Sequence, residues 1–463
     1  MTAVGDALPG VVLRADEPGY ADATRPWNGM VDKRPAVVVQ PGSAVEVAAA
    51  VRNATERGFP LSVRGGGHHI AGTSLVDGGL TIDLSRLTAI DVGPDARTAT
   101  VGAGCRLRDV DRETQRHGLA VPLGFISNVG VGGLTLGGGL GYLTRRFGWT
   151  VDNLLEVEIV TADGEVRRAS YDEHPDLFWG VRGAGANFGV VTRFTFQLHP
   201  VGPTIQGGLV AWPFERSAEV TATYRRITAE APRELAVWLV LLHGPPAPFV
   251  PVEWHGRRLC AMAVCYSGKS ADAETALAPI RALGAPVFDL LDEMPYTAVQ
   301  SYLDDTEPTG MHYHWRTEYL AALDDRLLDT LCELFRTCPN PMAELGILHL
   351  SGALNERAED DGAVGNRDAR YVIGVKGMWA PGDPDEPRFR DWVRVGGDRV
   401  RPYGTGRTYV NFQTTDEPDA RVRASYGTNY TRLAALKDRY DPENLFRSNR
   451  NITPAPASPD RAR

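Results

Sequence analysis

Residues 124–141 constrain the fold more than any other stretch. Gly124 to Gly141 holds eight glycines among eighteen residues, interleaved with Val129, Val131, Leu134, Leu136 and Leu140. That density disfavours a regular helix or strand, because glycine loses the most backbone freedom on ordering. The run is also too apolar for a flexible linker, which is polar and rich in serine or proline. A buried apolar glycine loop suits backbone that must pack against a flat or anionic ligand, or against another element. Two further loops share the character. Arg64-Gly65-Gly66-Gly67-His68-His69 follows the apolar run Phe59–Val63, and Arg182-Gly183-Ala184-Gly185-Ala186-Asn187-Phe188-Gly189-Val190-Val191 feeds the run Thr192–Phe196. One such loop is often only a tight turn. Three of them within the first 200 residues form a constellation. Arg64 offers a charged fork to a phosphate or carboxylate. No strict G-x-G-x-x-G threads the first two loops, which disfavours a Rossmann site.

The flanking pattern is α/β. Ala36–Pro41 predicts a strand and Ser43–Val51 a helix, with Ser43 as N-cap and Glu46 as its capping-box partner. Leu80–Leu84 and Thr98–Val101 predict strands, Leu107 to Gly118 a helix, and Asp163-Gly164 a hairpin turn. After Pro200-Val201-Gly202-Pro203 glycine thins out. Strands over 236–241 and 259–264 and helices over 270–283 and 325–335 then predict a separate α+β unit. The expected division is 1–205, 206–400 and 401–463.

The net charge of −9, without a basic block, argues against nucleic-acid or anionic-membrane partners. No signal peptide and no run of 18 apolar residues is present, so a cytoplasmic protein is expected. Five dispersed cysteines without C-x-x-C spacing predict buried free thiols, not a zinc or redox motif.

The loops, with Asp152-Asn153-Leu154, Asp176-Leu177-Phe178-Trp179, Tyr409-Val410-Asn411-Phe412, Tyr426-Gly427-Thr428-Asn429-Tyr430 and Tyr440-Asp441-Pro442-Glu443-Asn444-Leu445-Phe446, resemble one family. It is the FAD-linked oxidases of the vanillyl-alcohol-oxidase/PCMH superfamily, in the berberine-bridge-enzyme-like branch. The resemblance runs nearly the whole chain in order. It implies an α+β fold: a PCMH-type FAD-binding domain of two α/β subdomains, completed by the C-terminal segment, with an inserted α+β substrate domain whose sheet lies over the isoalloxazine. It implies a covalent 8α-histidyl bond from His68 to FAD, with His69 structural beside it. It assigns cofactor contacts to Arg64, Gly65, Gly66, Gly67, His68, His69, Ser127, Gly130, Gly132, Gly133, Gly137, Gly138, Asn153, Gly189, Val191, Tyr409 and Asn411. Many members add a cysteinyl link three residues before the valine of V-G-x-G-G. That position is Ile126 here, so no cysteinyl link is expected. The tyrosine of the Gly-Gly-Gly-Tyr-Gly pattern in some members is Leu140.

Oxidation of a small alcohol, amine, sugar or secondary metabolite requires hydride transfer to flavin N5 and, where a proton is lost, a base. The resemblance puts Tyr409 in that role, with Asn411 on the same face of a predicted strand. His349, in Ile347-Leu348-His349-Leu350, is a third catalytic candidate, with a satisfied core histidine as the alternative. In Met311–Arg316 either the His312/His314 face or the Tyr313/Trp315 face could meet the flavin, and no third ligand makes the histidines a metal site. O2 is the expected electron acceptor. An oxygenase on a polyketide-like substrate, a dehydrogenase with another acceptor and a flavin-binding protein without turnover remain alternatives.

Overall fold

The computed structural model describes residue 8 and residues 10–455. Val37–Gln40 forms a strand that leads into the helix Ala44–Arg57. Ser43 caps that helix by accepting the Glu46 N–H at 3.3 Å. The Glu46 carboxylate reaches one residue beyond the capping-box position, to the Gly42 N–H at 2.7 Å. Val37–Gln40, Leu80–Asp83 and Leu61–Arg64 pair in parallel in that spatial order, and Val11–Leu13 joins antiparallel at the edge. The first glycine loop therefore leaves the carboxyl end of a parallel strand, where such sheets present their ligands.

A second sheet is antiparallel, in the order Ile90–Gly93, Thr98–Gly102, Gly189–Gln197, Leu154–Thr161, Val166–Ser170. The helix Ala44–Arg57 packs against both sheets. Val39 and Ile82 from the first sheet, Val51 from the helix, and Val101, Ile159 and Phe194 from the second sheet share one core. The helices Asp419–Tyr426 and Tyr430–Tyr440 add Val422, Leu433 and Leu436 to it, and Phe446 and Ile452 follow. Lys437 fixes this return of the chain from inside. Its Nζ donates to the Asn187 carbonyl at 2.8 Å, the Asp441 carboxylate at 2.6 Å and the Phe446 carbonyl at 2.8 Å. A buried ammonium persists only when so paired.

Between these segments, residues 204–379 build a third, eight-stranded antiparallel sheet. Its order is Phe288–Asp289, Thr204–Pro213, Arg258–Tyr266, Leu235–His243, Glu344–His349, Tyr371–Trp379, His312–Leu320, and Asp292–Pro295 also pairs with Thr204–Pro213. The helices Ser217–Glu230, Ser270–Arg281, Asp325–Arg336 and Glu386–Val400 cover one face, burying Val237, Leu239, Leu345, Ile347, Ile373 and Val375. Strand side chains alternate between faces. Trp238, Val240, Gly346, Leu348, Val372 and Gly374 therefore point away from the helices and line a cavity.

The second glycine run departs from expectation in one respect: Val131–Leu136 is a short helix. Each helical glycine costs about 1 kcal/mol relative to alanine. Val131, fully buried in the shared core, and Leu134 and Leu136, packed against it, offset that cost.

Candidate active site

One cavity runs between the glycine loops and the open face of the third sheet. Gly65, Gly66, Gly67, His68 and His69 line it from the first loop, and Gly130, Gly132, Gly133 and Gly137 from the second. Gly189 and Val191 line it from the third, with Tyr409 and Asn411 from the C-terminal segment. The glycines serve two purposes. A Cβ on Gly66 would stand 2.3 Å from the Gly130 nitrogen, so these two loops meet backbone to backbone. At Gly133 nothing lies within 4 Å of the Cβ position, which leaves the backbone open to a ligand. Arg106 Nη1 locks the contact by donating to the Gly66 carbonyl at 2.7 Å and the Asn128 carbonyl at 2.9 Å.

Four residues expected at the cofactor do not line the cavity, and each has a local reason. Arg64 pairs across the sheet with its register partner Asp83, at 3.3 Å and buried. The Ser127 N–H and hydroxyl both donate to Asp304, at 2.7 and 2.5 Å. The Asn153 amide donates to the Phe147 and Trp149 carbonyls at 3.0 and 2.9 Å, and its oxygen meets His199 Nε2 at 2.6 Å. Gly138, at φ +117°, is a bend packed on Val364.

The two histidines are divided by their bonds. His69 Nδ1 accepts the Ala71 N–H at 3.1 Å, and its ring also bonds the Val410 backbone, tying the loop to the C-terminal segment. His68 instead stacks on Trp27, with centroids 5.4 Å apart and planes 20° apart. Burial, with Arg106 and Arg64 nearby, lowers its pKa to about 3. The imidazole is therefore neutral at physiological pH and keeps a nitrogen lone pair. Ile126 lines the same cavity, while Cys105 does not.

The geometry expected around the catalytic candidates differs in two places. Tyr409 and Asn411 do meet, Oη to Nδ2 at 3.0 Å, but across the 3₁₀ turn Val410–Phe412 and not along a strand. Tyr409 Oη also accepts the Gly139 N–H at 3.0 Å. Burial outweighs both bonds and raises its pKa to about 12. Burial thus favours the protonated phenol, which positions the loop through the Gly139 N–H. His349 lies on the helix-covered side of its strand, stacked on Tyr371 and bonded to Ser351 Oγ at 2.5 Å. Its neighbour Leu348 takes the cavity side, as the two-residue period of a strand requires.

The residues that motifs missed lie on the third sheet. Glu344 and Lys376 are register partners, as are Trp315 and Lys376, and all three line the cavity with Glu307. Lys376 Nζ pairs with Glu307 and, at 3.3 Å, with Glu344. A lysine inside the apolar strand Tyr371–Trp379 was the available signal, since an uncompensated charge there is costly. The Tyr313/Trp315 face is the one turned this way: Tyr313 stacks on Trp27 at 3.9 Å, and Trp315 lines the cavity. Among the described residues no three His, Cys, Asp or Glu side chains gather to hold a metal, and no helix is long and apolar enough to cross a membrane. All five cysteines are buried and free.

Buried polar atoms without a partner mark two places in the cavity. Ser74 Oγ, Asn449 Oδ1 and Arg450 Nε belong to the glycine-loop side, where Ser448 Oγ also bonds the Thr73 carbonyl at 2.8 Å. Trp238 Nε1, Trp315 Nε1 and Glu307 Oε2 belong to the sheet side. Buried polar groups are nearly always paired, so each side of the cavity offers polar atoms that a ligand could engage. Open glycine backbone with serine and arginine donors suits the phosphate-bearing chain of a dinucleotide such as FAD.

Comparison with known proteins agrees. Residues 35–170 match a family described as FAD binding domain, and residues 408–453 one described as berberine and berberine like. An FAD-linked oxidoreductase of Dictyostelium discoideum is 30% identical over 97% of this chain and 96% of its own. The (R)-6-hydroxynicotine oxidase of Paenarthrobacter nicotinovorans is 32% identical over 97% of both. The crystal structure of 6-hydroxy-D-nicotine oxidase from Arthrobacter nicotinovorans superposes with a TM-score of 0.89 at 27% identity, covering 98% of this chain and all of that one. With the loops, the two-part cavity and these relatives in agreement, the chain belongs to the berberine-bridge-enzyme-like, PCMH-type flavoproteins and is an FAD-dependent oxidoreductase.

Proposed function

We propose that this flavoprotein is an oxidase that carries FAD covalently on His68, oxidises a small organic substrate and passes the electrons to O2. In this reading residues 1–205 and 401–463 hold the cofactor, and residues 206–400 hold the substrate. The substrate is an alcohol, amine, sugar or secondary metabolite, the range suggested by relatives that include the nicotine oxidases. The carrying observation is His68 itself, a neutral imidazole at the cavity wall, held by Trp27 on a loop whose backbone is locked by Gly130 and Arg106. Ile126 supplies no second nucleophile. When bound, FAD supplies a two-electron acceptor. The chain's residues fix its edge, exclude water with Trp27, Trp315 and Trp238, and place Glu307, Glu344 and Lys376 where the substrate enters.

Acid precipitation tests the anchor. A yellow, fluorescent pellet is expected from the wild type and a colourless one from His68→Ala; flavin still bound covalently to that variant would refute the assignment. The acceptor is tested by mixing photoreduced protein with air. Rapid return of the oxidised flavin spectrum is expected, and slow reoxidation would sink the oxidase reading.

A further inference from the structure

Residues 27–31 belong to no helix or strand, yet they bridge the first glycine loop and the third-sheet lobe. On the loop side the Trp27 N–H donates to the Gly67 carbonyl at 3.1 Å. Asn28 Nδ2 donates to the Ile70 carbonyl at 2.8 Å. These two bonds straddle His68. On the sheet side the Gly310 N–H donates to the Trp27 carbonyl and the Gly29 N–H to the Met311 carbonyl, both at 2.8 Å. Trp27 Nε1 donates to the Glu307 carbonyl at 3.0 Å. Asn28 exchanges two bonds with the Tyr313 backbone, each at 3.1 Å. Its oxygen also accepts the Met30 N–H at 3.1 Å, so every donor and acceptor of this buried amide is in use. A Cβ on Gly29 would stand 2.2 Å from the Gly310 carbonyl oxygen, and a side chain there would force the two strips apart.

The rings repeat the connection. His68, Trp27 and Tyr313 form one stack. The first pair has centroids 5.4 Å apart and planes 20° apart, the second 3.9 Å and 19°. Tyr313 lies in the strand His312–Leu320, and its hydroxyl donates to the Pro308 carbonyl at 2.7 Å. It stands behind Trp27 and does not line the cavity. Among the described residues no hydrogen bond aims the His68 imidazole, so the stack on Trp27 sets its plane. The support for that plane comes from the other lobe.

We propose that Trp27 and Asn28 are positioning residues that couple the third-sheet lobe to the flavin anchor: docking of residues 307–313 against them aims His68, and covalent attachment of the flavin waits on that docking. The inference rests on the His68 reading above. Attachment exchanges one C–H of the flavin 8α-methyl and the imidazole N–H for a single C–N bond. The two hydrogens leave with two electrons to O2, which becomes hydrogen peroxide. Such a bond forms only when the nitrogen lone pair points along it, and a misplacement of about 1 Å costs on the order of 100-fold.

The test uses the full chain, purified from riboflavin-limited cells and incubated with excess FAD in air. Covalent flavin in the acid pellet is divided by total bound flavin and followed in time. Trp27→Leu, which keeps an apolar side chain but no ring, should slow the rise of that ratio by about tenfold or more. Trp27→Phe should restore most of the rate. Tyr313→Leu should slow it as well, through the lobe and not through the cavity wall. A wild-type rate in either leucine variant overturns the inference. So does a loss of melting temperature or of total flavin with the ratio unchanged, which is the mark of a merely structural role. If Trp27→Leu yields no soluble protein, Tyr313→Leu decides alone. A wild type that never gains covalent flavin overturns the His68 reading and this one together, whereas a coloured wild-type pellet with unaffected variants overturns the coupling alone.

Discussion

At single residues, environment overrides residue type. Tyr409 is the kind of side chain expected to act as a base, yet it accepts two N–H groups in a fully buried place with no cation beside it. Tyr409→Phe would leave the Gly139 and Asn411 donors without that acceptor. It should cost about 1–3 kcal/mol of stability, read by chemical denaturation, and leave the basic limb of the pH–rate profile unmoved. A shifted basic limb would restore the phenol as a proton acceptor. His349 makes a second case. Burial, with Arg145 and Arg370 nearby, holds its folded pKa at about 2, against an ordinary 6.5. The unfolded chain therefore binds this proton first. Its contribution to stability is complete above pH 6.5 and is lost as pH falls toward 2, by about 1.4 kcal/mol per pH unit. His349→Phe should lower stability at neutral pH and flatten its decline between pH 6.5 and 4, measured by urea unfolding across that range. Neither environment is fully legible from a residue's neighbours in the chain, because Gly139 beside Tyr409 and Arg145 near His349 come from far away in sequence.

At the level of elements, the three glycine loops are legible and their division of labour is not. The density of Gly124–Gly141 marks a close approach. It does not say that Gly66 and Gly130 approach each other while Gly133 faces open space. Gly66→Ala should drive the two loops apart and empty the protein of flavin, visible as a loss of the flavin-to-protein absorbance ratio. Gly133→Ala meets no protein atom and separates the two roles: with a cofactor against that backbone it too should lower occupancy, without loss of melting temperature in the flavin-free form. The motif Asp152-Asn153-Leu154 is similarly re-read. Asp152 forms a two-pronged ion pair with Arg367, both bonds at 2.7 Å, and Asn153 closes the adjacent turn. These residues clamp the frame around the cavity and do not line it. Strand alternation explains the other miss. The period that sends Leu348 to the cavity sends His349 to the helices, and only the paired sheet settles which is which.

At the scale of the molecule, the two-lobed plan and the return of the C-terminal segment are readable in the sequence, since glycine content falls after Pro203 and the motifs resume near Tyr409. The chamber between the lobes is not readable, because Glu307, Glu344 and Lys376 come from separate strands and a loop. A chain stopped at residue 400 would lack Val422, Leu433, Leu436, Phe446 and Ile452, which share a core with the glycine-loop strands. It should aggregate or purify without flavin, and a soluble, flavin-bearing product would contradict the shared core. The bond from Ser448 to the Thr73 carbonyl joins residues 375 positions apart. Folding during synthesis proceeds from the N-terminus, so the glycine loop emerges long before the strip that closes its cradle. The cradle is therefore begun by the first glycine loop and completed only when the strip around Ser448 folds back onto it.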